Sequence, residues 1–297
     1  MRASTRPINI TPTALRRMPL PLPDEASDKE ARGRVLLIGG GRETPGAVIL
    51  AGVAALRAGA GKLQVATVAG NAPLIAASIP EARVFALPET KAGSFAKSAS
   101  AKLEKHLGGA QCVCVGPGLL EDGSVVRFVA ETLRCCRDVH VVVDAGAIAC
   151  LGGGARLLHA LEGRAVVTPN AEELADIFGE TKDKIESAPL EAARRAARDF
   201  RAVVVLKGRE TFIASPAGEV YVNRAGCVGL ATSGSGDVLA GVVAGLIARG
   251  TEPLRAAAWG VYLHARAGER LSERVGPLGF LARELPAEIP KLMSELR

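Results

Sequence analysis

The sequence predicts an α/β fold: a three-layer α/β/α arrangement with a mainly parallel central sheet and a C-terminal antiparallel hairpin. Three observations carry that expectation. Short β-branched runs alternate with Ala-rich helical stretches along most of the 297 residues, as βαβ units require. The runs are continuously apolar, as strands covered on both faces are. Gly-rich segments follow several of them directly, where open α/β sheets present their ligand loops.

The elements follow in order. Residues 1–32 are Pro-rich and mixed in charge and read as an N-terminal arm. Residues 33–297 read as one domain, since no composition break or fixed-period repeat marks a second. Strands are expected at 34–38, 62–67, 112–115, 139–143, 165–167 and 202–206, then as a pair at 211–214 and 220–223. Ser215-Pro216-Ala217-Gly218 turns that pair into a hairpin. Expected helices include 47–58, 190–201, 237–249 and 253–272. The third is almost continuously apolar and should be largely buried.

Composition excludes several classes. At 48% apolar and 23% charged residues, the chain is not disordered, collagenous or a coiled coil. With 3% aromatics it lacks the material for a base-stacking platform. The net charge of +6 suits a mildly basic protein that handles small polyanions, and no nucleic-acid partner is expected. Cys112, Cys114, Cys135, Cys136, Cys150 and Cys227 form no C-x-x-C pair and have no His at zinc-ligand spacing. Reduced, structural cysteines in a cytoplasmic protein are therefore expected. The N-terminus lacks the apolar core of a signal peptide. The stretch 225–248 carries one charge, Asp237, near its middle, which argues against a membrane span and for a buried loop and helix holding a functional acid.

The loops are read next. Gly39-Gly40-Gly41-Arg42-Glu43-Thr44-Pro45-Gly46 approaches a dinucleotide fingerprint but has Thr44 in place of its last Gly, so it is either a ligand loop or a tight turn. Gly116-Pro117-Gly118 allows close backbone approach or is a plain strand exit; Asp144 faces a site or caps a helix. Asn170 is an N-cap that Glu173 completes as a capping box; alternatively the pair orders water around a nucleotide-bound Mg²⁺. Lys207, Gly208, Arg209, Glu210 and Thr211 form either a phosphate-contacting loop or a solvated turn. The most informative segment is Ala231-Thr232-Ser233-Gly234-Ser235-Gly236-Asp237-Val238-Leu239-Ala240-Gly241. Small residues leading into an apolar helix point free N–H groups outward, where they bind phosphate oxygens and stabilise charge developing in phosphoryl transfer. Asp237 at that helix start can accept a proton from a substrate hydroxyl, the alternative being a plain first-turn acid.

Taken together, these motifs resemble the ribokinase-type superfamily, whose hallmark is Gly-x-Gly-Asp at a helix N-terminus. Within it, the chain resembles the ADP- or ATP-dependent NAD(P)H-hydrate dehydratases. Pro45-Gly46-Ala47, Leu50-Ala51-Gly52, Leu56 through Lys62, Gly116 through Leu119, Asp144 through Ala147, Thr168-Pro169, Leu206-Lys207-Gly208 with Thr211, Gly234 through Gly241, and Val261-Tyr262-Leu263-His264 carry the likeness, in order. The resemblance implies a ribokinase-like fold and a repair reaction. The S-epimer of hydrated NADH or NADPH is phosphorylated on its new hydroxyl with ADP or ATP as donor, and phosphate is then eliminated. It implies Asp237 as catalytic acid–base, Gly234, Ser235 and Gly236 as anion hole, and Lys207 through Thr211 with Gly236 at the nucleotide. Ala47, Gly118, Asn170 and Asp237 would meet the hydrated dinucleotide, and Glu173 would act indirectly on Mg²⁺. A homo-oligomer, no membrane association, and a separate epimerase as functional partner complete the expectation.

One position departs from the pattern. After Thr168-Pro169 the dehydratases usually have His, whereas Asn170 with Glu173 is typical of vitamin and sugar kinases of the superfamily. A thiazole, hydroxymethylpyrimidine or pyridoxal-type alcohol kinase is thus the second reading, and a nucleotide-binding module without catalysis the third.

Overall fold

Runs of Val, Ile and Leu form strands because branched side chains pack well on a pleated surface. In the computed structural model, which describes residues 6–22, 29–120, 123–153 and 155–296, ten strands join one sheet. They are β1 (Ile8–Asn9), β2 (Arg34–Ile38), β3 (Lys62–Val68), β4 (Ala82–Leu87), β5 (Cys112–Val115), β6 (His140–Val143), β7 (Ala165–Val167), β8 (Val203–Leu206), β9 (Thr211–Ala214) and β10 (Val220–Asn223). Their order across the sheet is β1-β10-β9-β8-β7-β6-β5-β2-β3-β4. Pairing is parallel except where β9 meets β8 and β10, so the expected hairpin is the antiparallel part. β4 and β1 lie outside the sequence expectation for physical reasons. β4 is an edge strand with most side chains partly exposed, and β1 has only two residues.

The helices are α1 (Pro12–Arg16), α2 (Pro45–Arg57), α3 (Ala72–Ser78), α4 (Ala99–Leu107), α5 (Gly123–Cys135), α6 (Ala171–Phe178), α7 (Lys182–Ser187), α8 (Pro189–Phe200), α9 (Ser235–Ala248), α10 (Pro253–Arg274) and α11 (Leu285–Glu295). Strand residues alternate between two cores, which makes three layers. Val35, Leu37 and Cys114 join α2, α9, α10 and α11 on one face. Leu36, Ile38 and Val115 join α4, α5 and α8 on the other. As its composition predicts, α9 is buried from Val238 to Ala248. It lies against α2 across a seam of small residues. A Cβ on Gly241 would sit 2.1 Å from the Ala51 carbonyl oxygen, and one on Gly245 2.4 Å from that of Ala55.

Residues 6–22 pack on the same chain. β1 extends the sheet beside β10, and Leu15 is fully buried. Trp259 Nε1 donates to the Met18 carbonyl at 2.9 Å, and Arg249 and Arg255 donate to those of Pro21 and Pro19 at 2.7 and 3.1 Å. All six cysteines are free thiols, and Cys112, Cys114, Cys136 and Cys150 are buried. No helix of the described residues is long and apolar enough to cross a membrane.

Candidate active site

β2 lies between β3 and β5, so the chain runs outward in both directions from the gap between β2 and β5. At such a switch point the carboxyl ends of the strands leave a crevice. The loops after β2 and β5 are laced together across it. Gly39 N–H donates to the Ala66 carbonyl at 3.1 Å, Gly40 N–H to Pro117 at 2.9 Å, and Gly41 N–H to Gly118 at 2.8 Å. These amides bond to protein carbonyls, so the Gly39–Gly41 run is a structural strut, the tight-turn reading of its sequence. Thr44 Oγ1 adds a 2.8 Å bond to the Gly118 carbonyl. Gly118 has φ +68°, and a Cβ there would fall 2.4 Å from the Thr44 oxygen and 3.1 Å from Ala47 Cβ. Ala47 and Gly118 thus meet at the crevice.

The start of α9 stands beside it. Gly234 caps the helix with φ +87°, and a Cβ there would lie 2.4 Å from Leu50 Cδ1 of α2. Ser235 N–H donates to the Thr232 carbonyl at 3.2 Å, and Val238 N–H to Gly234 at 3.1 Å. The N–H groups of Gly234 and Gly236 meet no acceptor among the described residues. Of the three residues expected to form the anion hole, Gly234 and Gly236 therefore keep unengaged amides, and the Ser235 amide is already bonded. Lys207 Nζ stands 3.6 Å from where a Gly236 Cβ would be.

Lys207 follows β8 directly, and its N–H donates to the Pro169 carbonyl at 2.8 Å, tying together the loops after β7 and β8. Its Nζ lies 3.2 Å from Asp144 Oδ1 and 3.8 Å from Glu173 Oε2. Asp144, only 2% exposed, also accepts the Thr168 hydroxyl at 2.6 Å. Burial disfavours the Lys207 ammonium, but the carboxylates of Asp144 and Glu173 outweigh it and hold its pKa above the ordinary lysine value. Asp237 moves the other way for a carboxyl. Burial, then the charge of Asp144, pushes it up to about 7 against the pull of Lys207. It is therefore poised to exchange a proton near neutrality.

Asn170 and Glu173 form the capping box that their spacing suggests. Asn170 Oδ1 accepts Glu173 N–H at 2.9 Å, and Glu173 Oε2 accepts Asn170 N–H at 2.7 Å. No group of three or more His, Cys, Asp or Glu side chains among the described residues is placed to hold a metal ion.

A cavity of about 1110 Å³ opens between the loop after β8, the segment after β10, the first turn of α9, and α10. Its wall brings together Asn170, Lys207 through Thr211, Ser235 and Gly236. Ala47 and Gly118 are absent from that wall and belong to the crevice on the α2 side of the α9 terminus. Asn223, Arg224, Cys227 and His264 also line the cavity, and none was singled out individually by its residue type or spacing. Asp144 had a signal, an acid just past a strand end. His264, set among apolar residues of α10, had only its place in the resemblance.

This sheet and these loops define a ribokinase-like α/β protein. The family model described as NAD(P)H-hydrate dehydratase matches residues 35–291. The chain belongs to the NAD(P)H-hydrate dehydratase family. An ADP-dependent (S)-NAD(P)H-hydrate dehydratase from Xanthomonas campestris pv. campestris is 44% identical over 289 residues, covering 97% of this chain and 96% of that one. A bifunctional NAD(P)H-hydrate repair enzyme from Moorella thermoacetica is 39% identical over 94% of this chain, which spans 53% of the larger protein. The crystal structure of the ADP/ATP-dependent NAD(P)H-hydrate dehydratase from Bacillus subtilis, co-crystallized with ATP/Mg²⁺, matches with a TM-score of 0.82 and 29% identity, covering 99% of this chain and all of that one.

Proposed function

We infer that this protein converts the S-epimer of hydrated NADH or NADPH back to the reduced dinucleotide, with ADP as phosphoryl donor. The observation that carries the reading is the position of the α9 terminus. It lies between a crevice bordered by Ala47 and Gly118 and a cavity walled by Lys207 through Thr211. A hydroxyl held on one side and a terminal phosphate on the other would meet at Gly236 and Asp237. Asp237 takes the proton from the ring hydroxyl as its oxygen bonds to phosphorus and the phosphate–nucleotide bond breaks. The outward Gly236 N–H and the Lys207 ammonium offset charge on the transferring group. The new phosphate ester then leaves as inorganic phosphate, the ring nitrogen supplying the electron pair. Loss of a ring proton restores the double bond.

Mg²⁺ fits this donor set through water and phosphate, because the nearby carboxylates are engaged with Lys207 and with capping. Glu173 would hold it indirectly, and the ion would neutralise phosphate charge. A homo-oligomer, a cytoplasmic setting and a separate epimerase belong to the same reading. Exposed Val228, Val275, Leu278 and Leu281 support an association surface, and light scattering tests it.

The decisive assay mixes purified protein, Mg²⁺, hydrated NADH and either ADP or ATP. Return of near-ultraviolet dihydronicotinamide absorbance, matched by phosphate release, supports the dehydratase and identifies its donor. A stable phosphate ester formed from an alcohol substrate, without such recovery, would move the protein to the kinases.

A further inference from the structure

His264 belongs to α10, yet it reaches the first turn of α9. Its Nε2 lies 2.9 Å from Ser235 Oγ, and both residues line the 1110 Å³ cavity. Ser235 immediately precedes Gly236 and Asp237, the two residues that face the transferring group. Its backbone N–H is already bonded to the Thr232 carbonyl, so main chain and side chain are both anchored, in two directions. The opposite side of this turn rests on Leu50, where a side chain at Gly234 would collide. We infer that His264 is a positioning residue for phosphoryl transfer, clamping Ser235 so that the Gly236 amide and the Asp237 carboxyl keep their aim.

The inference rests on the proposed function. A buried imidazole suits this task because it makes a directional bond without bringing a charge. Burial, followed by repulsion from Lys207 and against hydrogen bonding at Ser235, lowers its pKa to about 4, so it is neutral at working pH. A cation here would compete with Lys207 for the donor phosphates. A small tilt of the turn leaves ground-state binding intact but misplaces groups that act only in the transition state, so the loss falls on turnover.

The test is a double-mutant cycle of His264→Ala and Ser235→Ala, with His264→Gln as the conservative variant. His264→Ala should lower kcat 10- to 100-fold, with ADP affinity by calorimetry within about twofold of wild type. Ser235→Ala should match it, the double variant should be no slower than either, and His264→Gln should recover most of the loss. Multiplicative losses, unchanged kcat in folded His264→Ala, or ADP affinity falling in step with kcat would overturn the inference. Imidazole ¹⁵N shifts read the clamp without turnover. They should show one neutral tautomer down to about pH 5 in wild type, and a mixture of tautomers in Ser235→Ala. A protonated or tautomerically mixed ring in wild type also overturns it. An inactive wild type whose ring shows the clamped signature refutes the proposed function instead.

Discussion

Asp237 is a carboxyl whose surroundings oppose its charge, and this has two measurable consequences. Asp237→Asn should cut turnover by a factor on the order of 10² to 10⁴, because the proton acceptor is gone. The same variant should be more stable at pH 8. With a native value of about 7, ionisation costs the fold on the order of 4 kcal/mol there. The sign follows from which state ionises first. Well below pH 4 both folded and unfolded carboxyls are protonated, so the gap between the two proteins should close as pH falls through 4. As pH rises to 7 the unfolded chain ionises first and wild-type stability falls. Melting curves at pH 4 and pH 8 check this, and equal gaps at both would contradict it. Asp144→Asn tests the electrostatic part. Removing the carboxylate that raises Asp237 should shift the acid limb of the kcat/KM profile to lower pH, while Asn still accepts the Thr168 hydroxyl. An unmoved limb would assign the shift to burial alone.

At the scale of elements, much was legible because backbone chemistry writes it locally. Runs such as Val-Leu-Leu-Ile and Val-Val-Val-Leu have little choice but a covered strand, and Ser215 through Gly218 had to turn. The Gly-Ser-Gly-Asp start of α9 was legible because a plain cap does not need those glycines before so apolar a helix. What the sequence does not write locally is which partner uses each polar group. The run Gly39 to Gly41 approached a dinucleotide fingerprint, open between ligand loop and tight turn, until the acceptors of its amides, carbonyls contributed by β3 and the loop after β5, came into place. The Ser235–His264 bond likewise joins residues 29 positions apart and is visible only in three dimensions. Two predictions belong at this scale. Gly241→Ala pushes a methyl into the Ala51 carbonyl and should destabilise by about 1–3 kcal/mol, read as a lower Tm. Asn170→His weakens the N-cap of α6 and should cost about 1 kcal/mol while activity survives. Loss of Mg²⁺-dependent turnover in folded Asn170→His would instead give Asn170 a direct part in the chemistry.

For the whole molecule, the packed residues 6–22 make the nucleotide-side cavity and the chain's start one system. Arg224 lines the cavity and bonds both Glu210 in the loop after β8 and Asn9 in β1. Removing residues 1–22 should uncover the single tryptophan, Trp259, and expose the edge of β10. Its fluorescence should shift to the red and the protein should self-associate; unchanged emission would show that the arm contributes no shielding. The same arrangement also governs the order of assembly during synthesis. Asn9 emerges from a ribosome well before its partner Arg224, which follows 215 positions later. At ordinary elongation rates, that leaves the opening strand waiting on the order of 10–40 s for its place in the sheet. β1 is thus made long before its partner strand, and protease sensitivity of 6–22 in stalled nascent chains should persist at least until β10 has left the tunnel.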